Sequence, residues 1–209
     1  MPRDKTQSHQ LVIKSAKKEF LMHGYEKASM RIIAKNAGLT GGALYKHFGA
    51  KEEMFAALVE PVYQEMVFLY RDRTRRALEE LERDGVDAFE DGSVSGTADL
   101  LRFIYQHYDE FQMMFNKSTG TRYESIREDV VNMEVESTKK LLDIVRKMGL
   151  DVPTLSEREM HIFFTMSLTP LFEIITHGYP YEEAKGIVDL MSRAQNYAWE
   201  RLIQLKTDE

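Results

Sequence analysis

Helical periodicity runs through almost the whole chain, and no stretch of strand length alternates apolar with polar residues, so an all-α fold is predicted. From about Thr6 to His23, Val12, Ile13, Ala16, Phe20 and Leu21 share one face, Lys14, Lys17 and Lys18 take the other, and Gly24 is a C-terminal stop. Ser29 reads as the N-cap of a short helix, Met30 to Asn36, with Ile32, Ile33 and Ala37 turned inward and Gly38 ending it. Thr40 caps a second short helix that reaches about Phe48. Lys51 opens a long helix to about Arg83, with Phe55, Leu58, Val62, Met66, Leu69, Ala77, Leu78 and Leu81 at helical spacing. Pro61 should bend it, since proline lacks the N–H and crowds the preceding turn. Residues 84–96 are rich in Gly, Asp and Ser and read as a loop. Four more helices are predicted, at about 97–117, 122–148, 156–177 and 181–205.

The bulk composition narrows function by exclusion. The chain has 209 residues and no cysteine, which rules out a disulfide framework, thiol catalysis and cysteine-ligated zinc or iron–sulfur centres. No phosphate-cradling glycine loop and no nucleophile with a recognisable base is present, so no catalytic residue and no cofactor is expected. His107, His161 and His177 lack a paired carboxylate at ligand spacing, so no metal site is expected. The N-terminus MPRDKTQSHQ lacks the apolar core of a signal peptide, and no long apolar run suggests a membrane span. A cytoplasmic protein with no membrane partner is the expectation. Charge is unevenly spread: up to Lys51 there are ten basic residues against three acidic, although the whole chain carries −6. A basic head on an acidic body hints at a nucleic-acid partner.

The two short helices and their turn, ASMRIIAKNAGLTGGALYKHF, have the dimensions of a helix-turn-helix, in which the first helix braces on the DNA backbone and the second enters the major groove. Gly38 meets the turn's need for a positive φ. With Ala43, Leu44 and Phe48 facing inward, Thr40, Gly41, Gly42, Tyr45, Lys46 and His47 are left to meet DNA. The small residues allow close approach to base edges, and the hydroxyl, ammonium and imidazole groups can bond phosphates. Arg31 and Lys35 lie on the bracing helix, where a solvated face suits them as well as contact does.

Ser29, Ile33, Ala34, Ala37, Gly38, Leu39, Thr40, Gly42, Leu44, Tyr45, His47, Phe48, Lys51 and Glu52 fall in register with the helix-turn-helix pattern of the TetR family, and Ile13, Ala16, Phe20, Gly24 and Tyr25 resemble that family's first helix. The resemblance covers residues 10 to 55. It departs from the family at Ala50, where a capping Ser, Thr, Asp or Asn is usual, a difference of about 1 kcal/mol at the start of the next helix. The resemblance implies an N-terminal three-helix DNA-binding domain (1–50) and a helical effector-binding and dimerisation domain (51–209). It implies phosphate contacts from Ser29, Tyr45, His47 and Lys51, and groove contacts from Thr40, Gly41, Gly42 and Lys46. The function it implies is a sequence-specific regulator, a repressor released from a palindromic operator in double-stranded DNA by a small-molecule effector.

In the acidic body, HIFFTMSLTPLFEIITHG is apolar almost all round. The last helix puts Ala184, Ile187, Val188, Met191, Ala198, Leu202 and Leu205 on one side, widened by Leu190, Tyr197, Trp199 and Ile203. So broad an apolar arc calls for a second partner surface, and the resemblance implies a homodimer through these last two helices. Phe103, Tyr105, His107, Tyr108 and Phe111 are the candidate ligand-binding residues, for an apolar or aromatic effector. Aromatics and methionines at that spacing also make ordinary cores.

Overall fold

The computed structural model describes the backbone of residues 5–85 and 92–203 and the side chains of 6–85 and 98–198. Among the described residues there are helices and turns but no strand. In order these are α1 (Lys5–Lys27), α2 (Met30–Asn36), α3 (Gly41–His47), α4 (Lys51–Asp84), α5 (Gly92–Gln106), α6 (Tyr108–Asn116), α7 (Ile126–Lys147), α8 (Glu157–His177) and α9 (Tyr181–Ile203). The all-α expectation holds. The chain forms two compact units, one from the described residues up to Met66 together with His107–Ile126, the other from Val67–Gln106 and the described residues from Arg127 onward.

In the first unit Val12, Ala16 and Phe20 repeat every fourth residue along α1 and are fully buried, the single stripe that an amphipathic helix turns to a core. The unit also buries Ile33, Ala34 and Ala37 around α2, Leu44 of α3, Met54, Phe55 and Val59 of α4, and Phe111, Met113 and Met114 of α6. Rings gather on Phe55: Phe20 meets it edge-on at 5.1 Å, Tyr25 at 5.6 Å, and Tyr123 lies tilted at 6.0 Å. Aromatic pairs of this geometry each contribute about 0.5–1.5 kcal/mol beyond area burial. Gly24 interrupts α1 at φ 73 and ψ 169, a region open essentially to glycine alone.

In the second unit Leu81 of α4 packs with Val135, Leu141, Leu142 and Val145 of α7 and with Val152 and Met160. A separate cluster joins Leu101 of α5, Ile174 of α8, and Ala184 and Val188 of α9. Both ends of α8 are closed: Ser156 and Glu159 form a reciprocal capping box, and Gly178 ends the helix in the left-handed conformation at φ 68. Among the described residues, no helix is long and apolar enough to cross a membrane.

Several expectations are corrected. Ile32 is 43% exposed, because a two-turn helix turns Ile33, Ala34 and Ala37 inward and leaves the neighbouring position outward. Leu69 is likewise exposed. The stretch expected as one helix over 97–117 is divided at His107, whose φ of −120 and ψ of 34 are not helical. Its halves follow different partners: α5 packs on α9, and α6 packs on α1. The expected loop over 84–96 overlaps two helices, since α4 includes Asp84 and α5 starts at Gly92, while residues 86–91 lie outside the described ones. The helix expected from Arg122 starts at Ile126. Before it, the Ser118 hydroxyl donates to the Met114 carbonyl (2.6 Å) and the Thr121 hydroxyl to the Ser118 carbonyl (2.7 Å), side-chain bonds that hold the chain in turns. As expected, α4 is one helix that continues through Pro61. Ala198 is exposed rather than inward. The side chains of Trp199, Leu202, Ile203 and Leu205 lie outside the described residues.

A polar cluster at the α4–α7 contact was not foreseen. The Tyr70 hydroxyl donates to the Met133 carbonyl at 3.0 Å and lies within hydrogen-bond reach of the Glu134 carboxylate. Burial pushes the Glu134 carboxyl above its ordinary range, and Tyr70 and Arg73 offset this only in part. An acid whose folded-state pKa is raised costs stability above that pKa, and the cost disappears as pH falls through it. Glu134→Gln keeps an acceptor and removes the charge. Its thermal midpoint should exceed that of the native chain at neutral pH, and calorimetry across pH should show the gain vanishing in acid.

Candidate nucleic-acid interface

α2 and α3 are each only seven residues long, too short to persist alone, so their placement comes from the groups that hold their ends. The Ser15 hydroxyl of α1 donates to the Ile33 carbonyl at 3.0 Å. Ser29 caps α2, its hydroxyl oxygen accepting from the Ile32 N–H, and its own backbone N–H donates to the buried Glu19 carboxylate at 3.0 Å. The turn is a Schellman motif: the Leu39 N–H bonds the Ala34 carbonyl, the Gly38 N–H bonds the Lys35 carbonyl, and Gly38 takes φ 68. Thr40 then caps α3 by accepting from the Ala43 N–H at 3.2 Å.

This frame orients α3. Leu44 is fully buried and Phe48 nearly so. Thr40, Gly41, Gly42, Tyr45 and Lys46 are exposed, Tyr45 by 53%. Tyr45 and Lys46 have no ion pair or side-chain hydrogen bond among the described residues, so both are available to an outside partner. A Cβ placed on Gly41 or Gly42 would meet nothing within 4 Å; the fold does not require glycine there. His47 is half-buried, 5.9 Å from the His9 ring, which in turn stacks on Phe48 at 5.0 Å. Between α2 and α3 lies an open groove of about 690 Å³, lined by Arg31, Ala34, Lys35, Leu39, Gly41 and Tyr45 among others.

Lys51 is differently placed. Its ammonium donates to the Glu26 carbonyl at 3.0 Å and sits 4.9 Å over the Tyr25 ring. Burial lowers its pKa, with Glu26 and Glu19 opposing. Beside it, Glu53 accepts from the Gly49 N–H at 2.9 Å, closing the start of α4 where Ala50 has no capping side chain. Of the α1 lysines, Lys14 and Lys18 are exposed, whereas Lys17 is clamped by Asp109 at 3.0 Å and Glu110 at 2.8 Å. Burial would lower the Lys17 pKa, but these two carboxylates raise it above its ordinary value.

The supporting residues Ser15, Glu19, Glu26 and Glu53 were not singled out in the sequence. The one signal was Glu19, an acidic residue within the apolar stripe of α1. The five candidate ligand residues are not gathered in one unit. Phe103 and Tyr105 belong to the second unit, where the Tyr105 hydroxyl donates to the Tyr179 carbonyl at 2.5 Å. His107, Tyr108 and Phe111 belong to the first, where Phe111 is a core residue and Tyr108 accepts from Gln112 at 2.7 Å.

These features define a helix-turn-helix protein with a helical body. Residues 12–58 match the family model of bacterial regulatory proteins, tetR family. Over this segment the chain is similar to the TetR family. It is 42% identical over 53 residues to the HTH-type transcriptional repressor AcnR of Corynebacterium glutamicum, covering 25% of this chain and 28% of that one. It is 31% identical over 93 residues to the HTH-type transcriptional activator FasR of Mycolicibacterium smegmatis, covering 44% of this chain and 42% of that one. The matched stretches thus span less than half the length of these curated relatives. The fold is similar to that of the TetR-family regulator PfmR of Thermus thermophilus, with a TM-score of 0.57 at 22% identity, covering 87% of this chain and 97% of that one.

Removing the buried acceptor at position 19 takes away the partner of the part-buried Ser29 N–H, and a hydrogen bond to a charged group contributes about 1.5–3 kcal/mol. Denaturant unfolding should therefore show Glu19→Ala destabilised by that amount, with Glu19→Gln, which retains an acceptor oxygen, losing less.

Proposed function

We propose that the chain is a sequence-specific, DNA-binding transcriptional regulator that acts as a homodimer on a palindromic site in double-stranded DNA. Residues 1–50 supply the contacts to DNA, and residues 51–209 bind an effector and dimerise. The observation that carries this reading is the outer face of α3. Two glycines that the fold does not need leave open space beside an uncommitted tyrosine and lysine, on a helix capped and braced at both ends. Small residues let a helix approach base edges, and the phenol and ammonium supply donors. Thr40, Gly41, Gly42 and Lys46 face the major groove; Ser29, Tyr45 and His47 bond phosphates, the two capping hydroxyls keeping a proton to donate.

A dimer is supported by apolar side chains that the single chain leaves uncovered on its last two helices: Ile162 (69% exposed) and Met166 (66%) on α8, Leu190 (61%) and Tyr197 (62%) on α9. Two heads related by a two-fold axis match a palindrome. The regulator reads as a repressor, in line with the name of the first relative, released when a small apolar or aromatic effector binds the body. Such release requires the effector to bind one state of the body more tightly than the other.

A duplex selected from a random pool by the purified chain is the substrate for the test. Tyr45→Ala with Lys46→Ala should abolish its retardation in a gel while the dimer persists in sedimentation. Gly42→Leu, which fills open space, should keep the thermal midpoint yet weaken the selected duplex at least tenfold. Retention of full affinity by both variants would remove α3 from the interface. Separately, Ile162→Glu with Leu190→Glu should sediment as a monomer, and an unchanged dimer would exclude that face.

A further inference from the structure

The inner face of α8 carries one polar side chain at its middle. Ser167 lies seven residues after Met160 and three after Phe164, four before Leu171 and seven before Ile174, spacings that put all five on one helix face. Met160 and Phe164 pack into the cluster around Leu81, whereas Leu171 and Ile174 pack into the separate cluster around Leu101. Ser167 therefore stands where one core gives way to the other. Between Met160 and Phe172 no residue of α8 is more than part-buried, although the stretch is rich in apolar side chains. The Ser167 hydroxyl oxygen is nevertheless closed to solvent and has no hydrogen-bond partner among the described residues. The two threonines beside it behave differently: Thr165 donates to the His161 carbonyl at 2.8 Å and Thr169 to the Thr165 carbonyl at 2.6 Å. Buried hydroxyls are nearly always paired, since burial strips them of water. Pro170, three residues on, offers no N–H to the Met166 carbonyl, so this turn of α8 lacks one helical hydrogen bond.

We propose that Ser167 is the polar anchor of the effector site, its hydroxyl bonding one neutral polar group, a phenol or a ketone, on an effector whose aromatic frame lies against Phe164 and Leu171. The inference rests on the effector-binding reading above and names the chemistry of the molecule within it. A group that folding leaves unpaired weakens the fold, and departures of this kind fall at functional positions. The neighbours of Ser167 at helical spacing are apolar, and a charged group brought among them would lose its water in return for one hydroxyl. A neutral group loses far less. Because a hydroxyl both donates and accepts, phenols and ketones fit alike. The rings of Phe163 and Phe164 meet edge to face at 5.3 Å, an arrangement that a further ring can extend. Ile162 and Met166, exposed on the same turns of α8, belong to the face proposed for dimerisation, so an effector at Ser167 acts on a helix that carries the subunit contact.

The test uses the full chain and two pairs of probes, 2-naphthol with 2-methylnaphthalene and 4-phenylphenol with 4-methylbiphenyl, in which a methyl group replaces the hydroxyl at nearly the same size. In equilibrium dialysis at least one phenol should bind the native chain about tenfold more tightly than its methyl analogue, the worth of one hydrogen bond. Ser167→Ala should abolish that preference and leave the methyl analogue bound as before, while Ser167→Cys, a weaker donor of similar size, should fall between. Without a probe, the thermal midpoint of Ser167→Ala should equal or exceed that of the native chain, because the substitution removes a hydroxyl that nothing satisfies. Binding of neither phenol, a preference that survives in Ser167→Ala, or a midpoint lowered by that substitution would overturn the inference. The phenol that binds should also release the selected duplex from the native chain at a lower concentration than from Ser167→Ala. Equal release from both would overturn the inference alone. Binding that depends on Ser167 yet leaves the duplex in place would overturn instead the effector reading beneath it.

Discussion

The end of α1 is the joint on which the head depends. At Gly24 the chain takes φ 73 and ψ 169, and this single departure redirects the next two residues into three separate attachments. The Tyr25 N–H reaches the Lys117 carbonyl at 2.8 Å, its ring packs between Phe20 and Phe55, and the Glu26 carbonyl takes the Lys51 ammonium. A helix continuing straight through position 24 would keep those backbone groups bonded within itself. Glycine is therefore used here for a conformation that a side chain would strain by about 1–3 kcal/mol, and the return is a joint that ties α1, α4 and the segment after α6 together.

The same joint explains why α2 and α3 can be so short. Helices of two turns are stable only where tertiary contacts hold them, and the first unit supplies these from residues distant in sequence. Tyr123 adds its ring beside Phe55 and Tyr63 and donates its hydroxyl to Glu60, a carboxylate also bound by Arg122 at 2.5 Å. Burial alone would raise the Glu60 pKa, but its bonds to Tyr123, Gln64 and Arg122 bring it below the ordinary range, and burial with the Glu60 bond pushes the Tyr123 hydroxyl up to about 12. The pair is held as phenol and carboxylate throughout the neutral range. The helices proposed to meet DNA are thus seven residues long, while the packing that steadies them extends to Met66 and takes in His107–Ile126.

What could be read from the sequence follows from which interactions leave a local trace. Caps do: Ser29, Thr40 and Ser156 each precede a helix, and each accepts the backbone N–H that its position demands. Glycine stops do as well, as Gly24, Gly38 and Gly178 take positive φ where the helical pattern ends. The face of α3 was legible because its inward and outward residues alternate with the helical period. Partners separated by many residues leave no such trace. Nothing around His107 marks a break, since neither Gly nor Pro is there, and the division arises because α6 is drawn to Lys17 while α5 lies on α9. The internal contact of Lys51 was illegible for the same reason: its acceptor is a backbone carbonyl, which every residue possesses and no side-chain pattern reveals.

Charge placement then separates structure from function within the basic head. A lysine bound by two carboxylates, as Lys17 is, or held against a ring and a carbonyl, as Lys51 is, would have to abandon those partners before serving an outside phosphate. Cations left to solvent by the fold carry no such cost and contribute fully to the surface potential. The basic excess of the first fifty-one residues is therefore not a uniform coat. Part of it is consumed in holding α1 to α4 and α6, and the remainder, on α2 and α3 with Lys14 and Lys18, is the portion a polyanion can recruit. Net charge alone therefore does not say which cations are open to an outside partner; the carboxylates on Lys17 and the carbonyl and ring on Lys51 do.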